Sequence, residues 1–472
     1  MFVKRFFEPA IAQASYMIGC QQTGEAIVID AHRDVDAYIA AAAQENLRIT
    51  HVTETHIHAD FVSGSRELAQ RTGASLCLSD EGDKDWKYQF EHARRLKDGD
   101  RITIGNIHVD VLHTPGHTPE HITFLVTDGA AADRPIAAVT GDFVFVGDVG
   151  RPDLLERAAN IKGTMEVGAR VLFASLQKFA QRDEWLQIWP GHGAGSACGK
   201  GISSIPSSTL GYEKRFNWAF NVKTEQEFVE AVLSGQPEPP KYFARMKGVN
   251  KEGPAILSGF HVPAKLEPSQ LPALMARQAL VIDTRPAAEY AAGHVAGTIN
   301  VPLNASFVAW AGWLVDADEF YLIVDPATAA ARMQDVSRSL ALIGIDRISG
   351  YFDSAGVRGN RTIPQITARE LSQRLDGVTV IDVRGASEWA GGNLPGAVHI
   401  PLGYLPERSH EIPRSRPVVL QCQSGARSAI AASILERQGF TEVINLAGGF
   451  SGWKAAGLPV EGVADEHQAT RA

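Results

Sequence analysis

Cysteine is scarce in this chain. Four stand in 472 residues (Cys20, Cys77, Cys198 and Cys422), far apart and never in CxxC spacing. That excludes a disulfide framework and a structural zinc knuckle, and fits a reducing cytoplasm. No run of about 18 uninterrupted apolar residues exists, so no membrane span is expected. Positive charge is also short, with 45 Lys and Arg against 54 Asp and Glu and a formal net charge of −9. This balance argues against a broad nucleic-acid surface or a polybasic membrane anchor and points to a small substrate. Near the start, Glu8, Pro9 and Gln13 interrupt anything like the apolar region of a signal peptide.

What is present divides into parts. At about 100–200 residues per domain, the length predicts about three domains. Residues 1–250 alternate strands with helices, with Ala26–Asp30 and Val109–Leu112 as short apolar strands and Met165–Ala180 as a helix. A Pro/Gly-marked junction around Gly253-Pro254 and Pro263 follows, and then a repeat. Val281-Ile282-Asp283-Thr284-Arg285 returns as Val380-Ile381-Asp382-Val383-Arg384, and Gly297 to Leu303 returns as Gly396 to Leu402. The period is too long for a stacked solenoid, so this is a duplicated α/β domain over 262–365 and 366–463, with a tail at 464–472. Thr367-Ala368-Arg369-Glu370 predicts a capping box at the start of the second copy.

Thr55-His56-Ile57-His58-Ala59-Asp60-Phe61 places three potential ligands two residues apart, a spacing that a loop at a strand end can aim at one point and a helix cannot. Thr114-Pro115-Gly116-His117, Gly141-Asp142 and Gly191-His192-Gly193 follow in order. Together these motifs resemble the metallo-β-lactamase superfamily, which implies an αββα sandwich with a metal site at one edge. The departure is Phe61, where the superfamily's fuller motif has a histidine that helps hold a second metal. Two imidazoles and a carboxylate on one side of an ion are the set that leaves positions open on non-heme Fe(II). Resemblance to the persulfide dioxygenase branch implies one Fe(II) per chain on His56, His117 and Asp142, with zinc as the alternative. His58, Asp60 and His192 would then orient those ligands or serve as alternative ones. Gly147 to Leu154 and Ala194 to Lys200 resemble loops of such dioxygenases fused to rhodanese modules, although most of these glycines need only shape tight turns. Cys198, six residues after His192, is either a substrate-proximal thiol or a buried inert one.

In the second repeat, the apolar run Val418 to Gln421 leads to Cys422, then to Gln423, Ser424, Gly425, Ala426, Arg427 and Ser428 and a helix over Ser428–Gln438. Backbone N–H groups and a helix N-terminus at such a place stabilise a thiolate and bound anions. This resembles the rhodanese family. Four residues separate Cys422 from Arg427, against five in the related cysteine-phosphatase cradle, and the tighter ring suits a persulfide sulfur. In the first repeat Asp325 takes the place of the cysteine, and Pro326 removes a donor. That copy is expected to be silent.

The fold class expected is therefore α/β multidomain, an αββα sandwich followed by two rhodanese-like domains with parallel sheets. The resemblances imply a persulfide dioxygenase that uses O2 and a low-molecular-weight thiol persulfide of glutathione or CoA type to make sulfite. Cys422, with Arg427, would then transfer sulfur to give thiosulfate. The rivals are a zinc-dependent glyoxalase II-type thioester hydrolase fused to a sulfurtransferase, and a non-catalytic sulfur carrier or sensor. No nucleic-acid or membrane partner is implied, and a homo-oligomer is left open.

Overall fold

The computed structural model describes residues 1–154, 156, 163–357 and 359–462, with backbone alone at 328–331. The tail expected at 464–472 lies outside the described residues. The chain forms two compact units, one of Met1–Phe260 with Arg338–Ile345, the other of His261–Ser337 with Asp346 onward.

The first unit holds two six-stranded sheets. One runs in the order Phe2–Glu8, Gln13–Cys20, Glu25–Ile29, Arg48–Thr53, Ser75–Ser79, Arg94–Leu96. Its first three strands are antiparallel hairpin neighbours and its last three parallel crossovers. The other is ordered Ser208–Thr209, Gln187–Pro190, Ala137–Gly141, Ile122–Asp128, Ile107–His113, Arg101–Ile104. Alternate residues of both sheets, among them Tyr16, Ile18, Ile27, Ile29, Val109, Val111, Phe124 and Val126, share one buried cluster, so the sheets pack face to face. Helices Val35–Gln44 and Ser65–Thr72 bury the outer face of the first sheet, and Met165–Phe179 with Glu225–Leu233 buries that of the second. In Met165–Phe179 the apolar face is Ala169, Leu172, Leu176 and Phe179, the three-to-four spacing of an amphipathic helix. The result is the αββα sandwich, with a mixture of parallel and antiparallel pairs in each sheet.

The second unit holds two wholly parallel sheets. One has the order Ile299–Asn300, Leu280–Asp283, Phe320–Val324, Gly350–Asp353, and the other Gln365–Ile366, Val443–Leu446, Val418–Gln421, Thr379–Asp382, Val398–His399. Both central strands, Phe320–Val324 and Val418–Gln421, are buried along their whole length, as strands covered on two faces must be. The duplication extends to side chains. Arg285 chelates Asp283 with a 2.6 Å contact and donates to Gly293 O at 3.1 Å. Arg384 repeats this on Asp382 at 2.6 Å and on Gly392 O at 2.7 Å. Thr367 caps Ala368–Ser372 in a reciprocal box with Glu370.

Strand and helix ends differ from expectation by one or two residues, and one of these differences bears on the cysteine loop. The helix after the cysteine loop spans Ala426–Arg437 rather than starting at Ser428, because Gly425 adopts a left-handed conformation (φ 98°) that completes the turn early. Ala426, Arg427 and Ser428 therefore stand on the first helical turn.

Candidate functional site

Each metal-site motif of the first unit lies just beyond a strand. His56, His58 and Asp60 follow Arg48–Thr53, Asp142 follows Ala137–Gly141, His192 follows Gln187–Pro190, and His117 stands in the turn between Ile107–His113 and Ile122–Asp128. Gly116 is required in that turn. Its φ is +141°, and a Cβ there would lie 2.4 Å from Leu172 Cα, inside the helix that backs the loop.

His56, His117 and Asp142 are all buried and each brings one ligand atom to a common point, with these atoms within 4.8 Å of one another. What the remaining atoms do explains why these atoms face inward. His56 Nδ1 pairs with Thr55 Oγ1 at 2.9 Å, and His117 Nδ1 donates to the carbonyl of Arg151 at 2.9 Å, leaving both Nε2 atoms for the site. Asp142 Oδ1 accepts from His192 Nδ1 at 2.7 Å, while its buried Oδ2 accepts no hydrogen bond and lies 3.7 Å from His117 Nε2. Burial pushes the pKa of His117 down, and burial reinforced by the surrounding imidazoles does the same to His56, so both stay neutral as a metal ligand must. A buried carboxylate oxygen with no donor, beside two neutral imidazoles, is the chemistry of a site built for a cation.

The other predicted residues stand around this set. His58 Nε2 donates to Asp30 at 3.0 Å, and although burial opposes its charge, that carboxylate and Glu54 raise its pKa to about 9. His192 donates from Nδ1 to Asp142 and from Nε2 to Asp60, both at 2.7 Å. The two carboxylates outweigh burial and hold its pKa well above the ordinary value. Asp60, His192 and Cys198 form a second buried group within the same 4.8 Å limit. The Cys198 thiol is pushed well up, first by burial and then by Asp60 and Asp142, so it is not a ready thiolate. Phe61 is fully buried with its ring 4.4 Å from that of His58.

Several residues that motif reading missed hold the site. Asp30, in a left-handed conformation (φ 59°), accepts from Thr55 N at 2.7 Å and Thr55 Oγ1 at 3.0 Å besides His58. His121 stacks on His56 at 5.1 Å and accepts from Asp142 N at 3.2 Å. Arg151, wholly buried, pairs with Asp153 at 2.7 Å and donates to Ala197 O and Pro237 O, tying three loops together behind His117. Asn250, on the helix Tyr242–Glu252, donates to His58 O at 2.8 Å and Phe61 O at 2.7 Å and accepts from Ser63 N at 2.9 Å. An acid ending an apolar strand was a visible signal for Asp30, whereas nothing in the local sequence marked Asn250.

In the second unit Cys422 follows Val418–Gln421 and is buried. Its Sγ accepts from Gly425 N at 3.1 Å and Ser428 Oγ at 3.5 Å, at the N-terminus of Ala426–Arg437. Phe450 N donates to Cys422 O at 2.7 Å and Ser451 N to Gln423 O at 3.0 Å, while the carboxamide of Gln423 donates to Ser451 Oγ at 2.9 Å. Ser424 is exposed on the loop rim. Arg427 grips Glu388 through two hydrogen bonds of 2.6 and 2.7 Å, which raise its already high pKa. The first repeat builds no such loop. Phe320–Val324 passes through Asp325 straight into the helix Pro326–Leu342, and Asp325 Oδ1 accepts from Ala327 N at 2.9 Å.

The metallo-beta-lactamase superfamily model matches residues 9–192, and the rhodanese-like domain model matches 267–336 and 367–456. A crystal structure of a metallo-beta-lactamase from Staphylococcus aureus subsp. aureus COL is 43% identical, with a TM-score of 0.67, covering 75% of this chain and 98% of that one. A sulfurtransferase of Allochromatium vinosum is 42% identical over 101 residues, 21% of this chain and 94% of the relative. The mitochondrial persulfide dioxygenase ETHE1 of Bos taurus is 28% identical over 163 residues, 34% of this chain and 59% of the relative. Among the described residues, no helix is long and apolar enough to cross a membrane.

Proposed function

Since the chain belongs to the metallo-β-lactamase superfamily and carries rhodanese-like domains C-terminal to that fold, we propose that it is an iron-dependent persulfide dioxygenase coupled to sulfur transfer. The parts are 1–250 for the oxidation, 262–365 as a silent rhodanese-like domain and 366–463 as the transferase. The observation that carries this reading is the convergence of His56, His117 and Asp142, beside a buried Phe61 that offers no donor for a second metal. Likeness to the bovine persulfide dioxygenase and to the sulfurtransferase supports sulfur as the element handled.

Iron held by those three residues would supply dioxygen activation beside the sulfane sulfur of a glutathione- or CoA-type persulfide. The surrounding residues set orientation. Thr55 and the Arg151 carbonyl turn the imidazoles of His56 and His117, and His192 holds Asp142 by one oxygen so that the other faces the site. In the transferase, the Cys422 thiolate takes a sulfane sulfur, stabilised by Gly425 N–H and Ser428 Oγ–H. Sulfite attacks that terminal sulfur, thiosulfate leaves, and the thiolate is restored. Carrying both steps in one chain raises the effective concentration of sulfite at the second.

A second reading rests on the Asp60, His192 and Cys198 group, which offers donors to a second ion and hence to a two-zinc thioester hydrolase. It would require His192 to give up its 2.7 Å bond to Asp60. Anaerobic purification with metal analysis decides between them. The proposal expects one iron per chain, oxygen uptake with glutathione persulfide or CoA persulfide and no thioester hydrolysis, whereas two zinc ions per chain with hydrolysis would replace it.

A further inference from the structure

The silent repeat contains the helix Pro326–Leu342, yet the last residues of that helix and the turn after them, Arg338–Ile345, belong to the first unit. This end is built like its counterpart in the second repeat. Ile345 N donates to Leu340 O at 3.0 Å and Gly344 N to Ala341 O at 3.1 Å, around Gly344 at φ 75°. After Ala426–Arg437, Phe440 N donates to Leu435 O at 3.0 Å and Gly439 N to Glu436 O at 2.9 Å, around Gly439 at φ 86°.

Such a turn leaves the last carbonyls of its helix to other donors. In the second repeat the donor is its own Arg414, whose Nη2 meets Gln438 O at 3.1 Å. In the silent repeat the donors are residues of the metal fold. Val62 N donates to Leu342 O at 2.7 Å, Arg245 Nη2 to Ile343 O at 3.3 Å and Gly344 O at 3.2 Å, and Arg33 Nη1 to Ala341 O at 3.2 Å. The two guanidiniums also face the negative end of the helix dipole. Side chains differ in the same sense. Where the second repeat has the half-buried Glu436, Arg437 and Gln438, the silent one has Ala341, Leu342 and Ile343, none more than 1% exposed. Arg338 adds ion pairs with Glu8 at 2.6 Å and with Asp34.

Val62 follows Phe61, whose carbonyl accepts from Asn250, and precedes Ser63, whose N–H donates to Asn250. The backbone of 61–63 therefore has two anchors, Asn250 and the carbonyl of Leu342, and it continues the loop that carries His56, His58 and Asp60. A Cβ at Gly344 would lie 3.3 Å from Val62 Cγ2 and 2.7 Å from Met246 Cε, so the turn and the loop meet without room for a side chain. Resting on the reading that His56, His117 and Asp142 hold a metal, we infer that the repeat without a cysteine is a positioning element of the metal site. Its residues 338–345 fix the loop that presents His56, and its helix end serves the oxidation rather than the sulfur transfer.

Three variants of the full chain test this. Arg245→Ala removes, from an exposed position, the donor to Ile343 O and Gly344 O. Arg245→Lys returns a cation there, and Gly344→Val drives a side chain toward Val62. Each protein is stripped of metal, and Co(II) affinity is measured by chelator competition together with the Co(II) absorption bands. Amide exchange is followed by mass spectrometry over 57–64 and over the buried strand Ile122–Asp128.

In Arg245→Ala and Gly344→Val, Co(II) should bind about tenfold more weakly with shifted absorption bands, as when an outer partner of a metal ligand is lost. Exchange over 57–64 should be at least about tenfold faster, while that of Ile122–Asp128 stays within about twofold of wild type. Arg245→Lys should return the affinity to within about threefold of wild type. Affinity and exchange within about twofold of wild type in both disrupting variants overturns the inference. So does equal acceleration over the two segments, which is the mark of general unfolding. Failure of the metal reading looks different, because wild-type protein would then bind no Co(II), or His117→Ala would bind it as tightly. The exchange over 57–64 would still decide whether residues 338–345 hold the loop. If Gly344→Val fails to fold, the surface variant Arg245→Ala and its lysine counterpart give the decision.

Discussion

Asn250 holds the backbone of Phe61, donating from Nδ2 to its carbonyl oxygen at 2.7 Å, 189 residues away in sequence. The same carboxamide serves His58 O and Ser63 N, so one buried side chain fixes the loop that carries His56, His58 and Asp60. Replacing it with Ala would strand two carbonyls and an N–H, at about 1–3 kcal/mol for each group left buried without a partner. Asn250→Ala should therefore lower both the melting temperature and the metal content of the purified protein. Full metal occupancy would show that the loop is held by other means.

Ligand roles are separable by substitution. His117→Ala and Asp142→Ala should each strip the metal and abolish oxygen uptake, because each removes one of three converging donors. His58 is turned toward Asp30 instead, so His58→Ala should retain much of the iron. Metal analysis of the three variants checks this, and equal loss in all three would place His58 among the ligands.

The two chemistries should come apart at Cys422. In Cys422→Ser, sulfur transfer stops, oxygen consumption persists and sulfite accumulates in place of thiosulfate. Ion chromatography of the products reads the difference, and a halt in oxygen uptake would mean that oxidation depends on the thiol.

Restoring a thiol to the first repeat should not restore transfer. In a full-length Asp325→Cys, Cys422→Ser double variant, the helix still begins at Pro326, and no loop of free N–H groups surrounds the new sulfur. A cyanide-dependent transferase assay should remain at background, and recovered turnover would contradict the need for a cradle.

Stability of the first unit should fall on acidification through His32. Burial first, and then the Arg338 guanidinium, lower its pKa from 6.5 to about 4. Between those values the unfolded chain binds a proton that the folded chain refuses, so stability is full above pH 6.5 and is lost as the pH falls toward 4. From pH 7 to pH 5 the loss from this group is about 2 kcal/mol. Asn can accept the 3.2 Å bond that Asp34 N donates to His32 Nδ1, so His32→Asn should flatten that slope in denaturation measured at both pH values. An unchanged slope would assign the acid sensitivity elsewhere.

The local motifs were legible because they are chemistry confined to a few neighbouring residues. His56-x-His58-x-Asp60, the Cys422 loop with Gly425 and Arg427, and the Asp325-Pro326 step each state their donors within six positions. The apolar run Val418–Gln421 likewise announced its strand, and the spacing of apolar residues over Met165–Ala180 announced the helix Met165–Phe179. The αββα order followed from resemblance rather than from pattern, since a buried strand in a mixed sheet reads like one in a parallel sheet.

What the sequence by itself determined was therefore the kinds of chemistry and the repeat that lacks one of them. Tertiary structure alone decided which atoms meet: that Asp142 turns Oδ2 inward because His192 holds Oδ1, and that Asn250 clamps the ligand loop. The reason is physical. A donor atom's direction is set by the partner that occupies the other side of its group, and for Asp142 and the Phe61 loop those partners lie 50 and 189 residues away, beyond the reach of any local pattern.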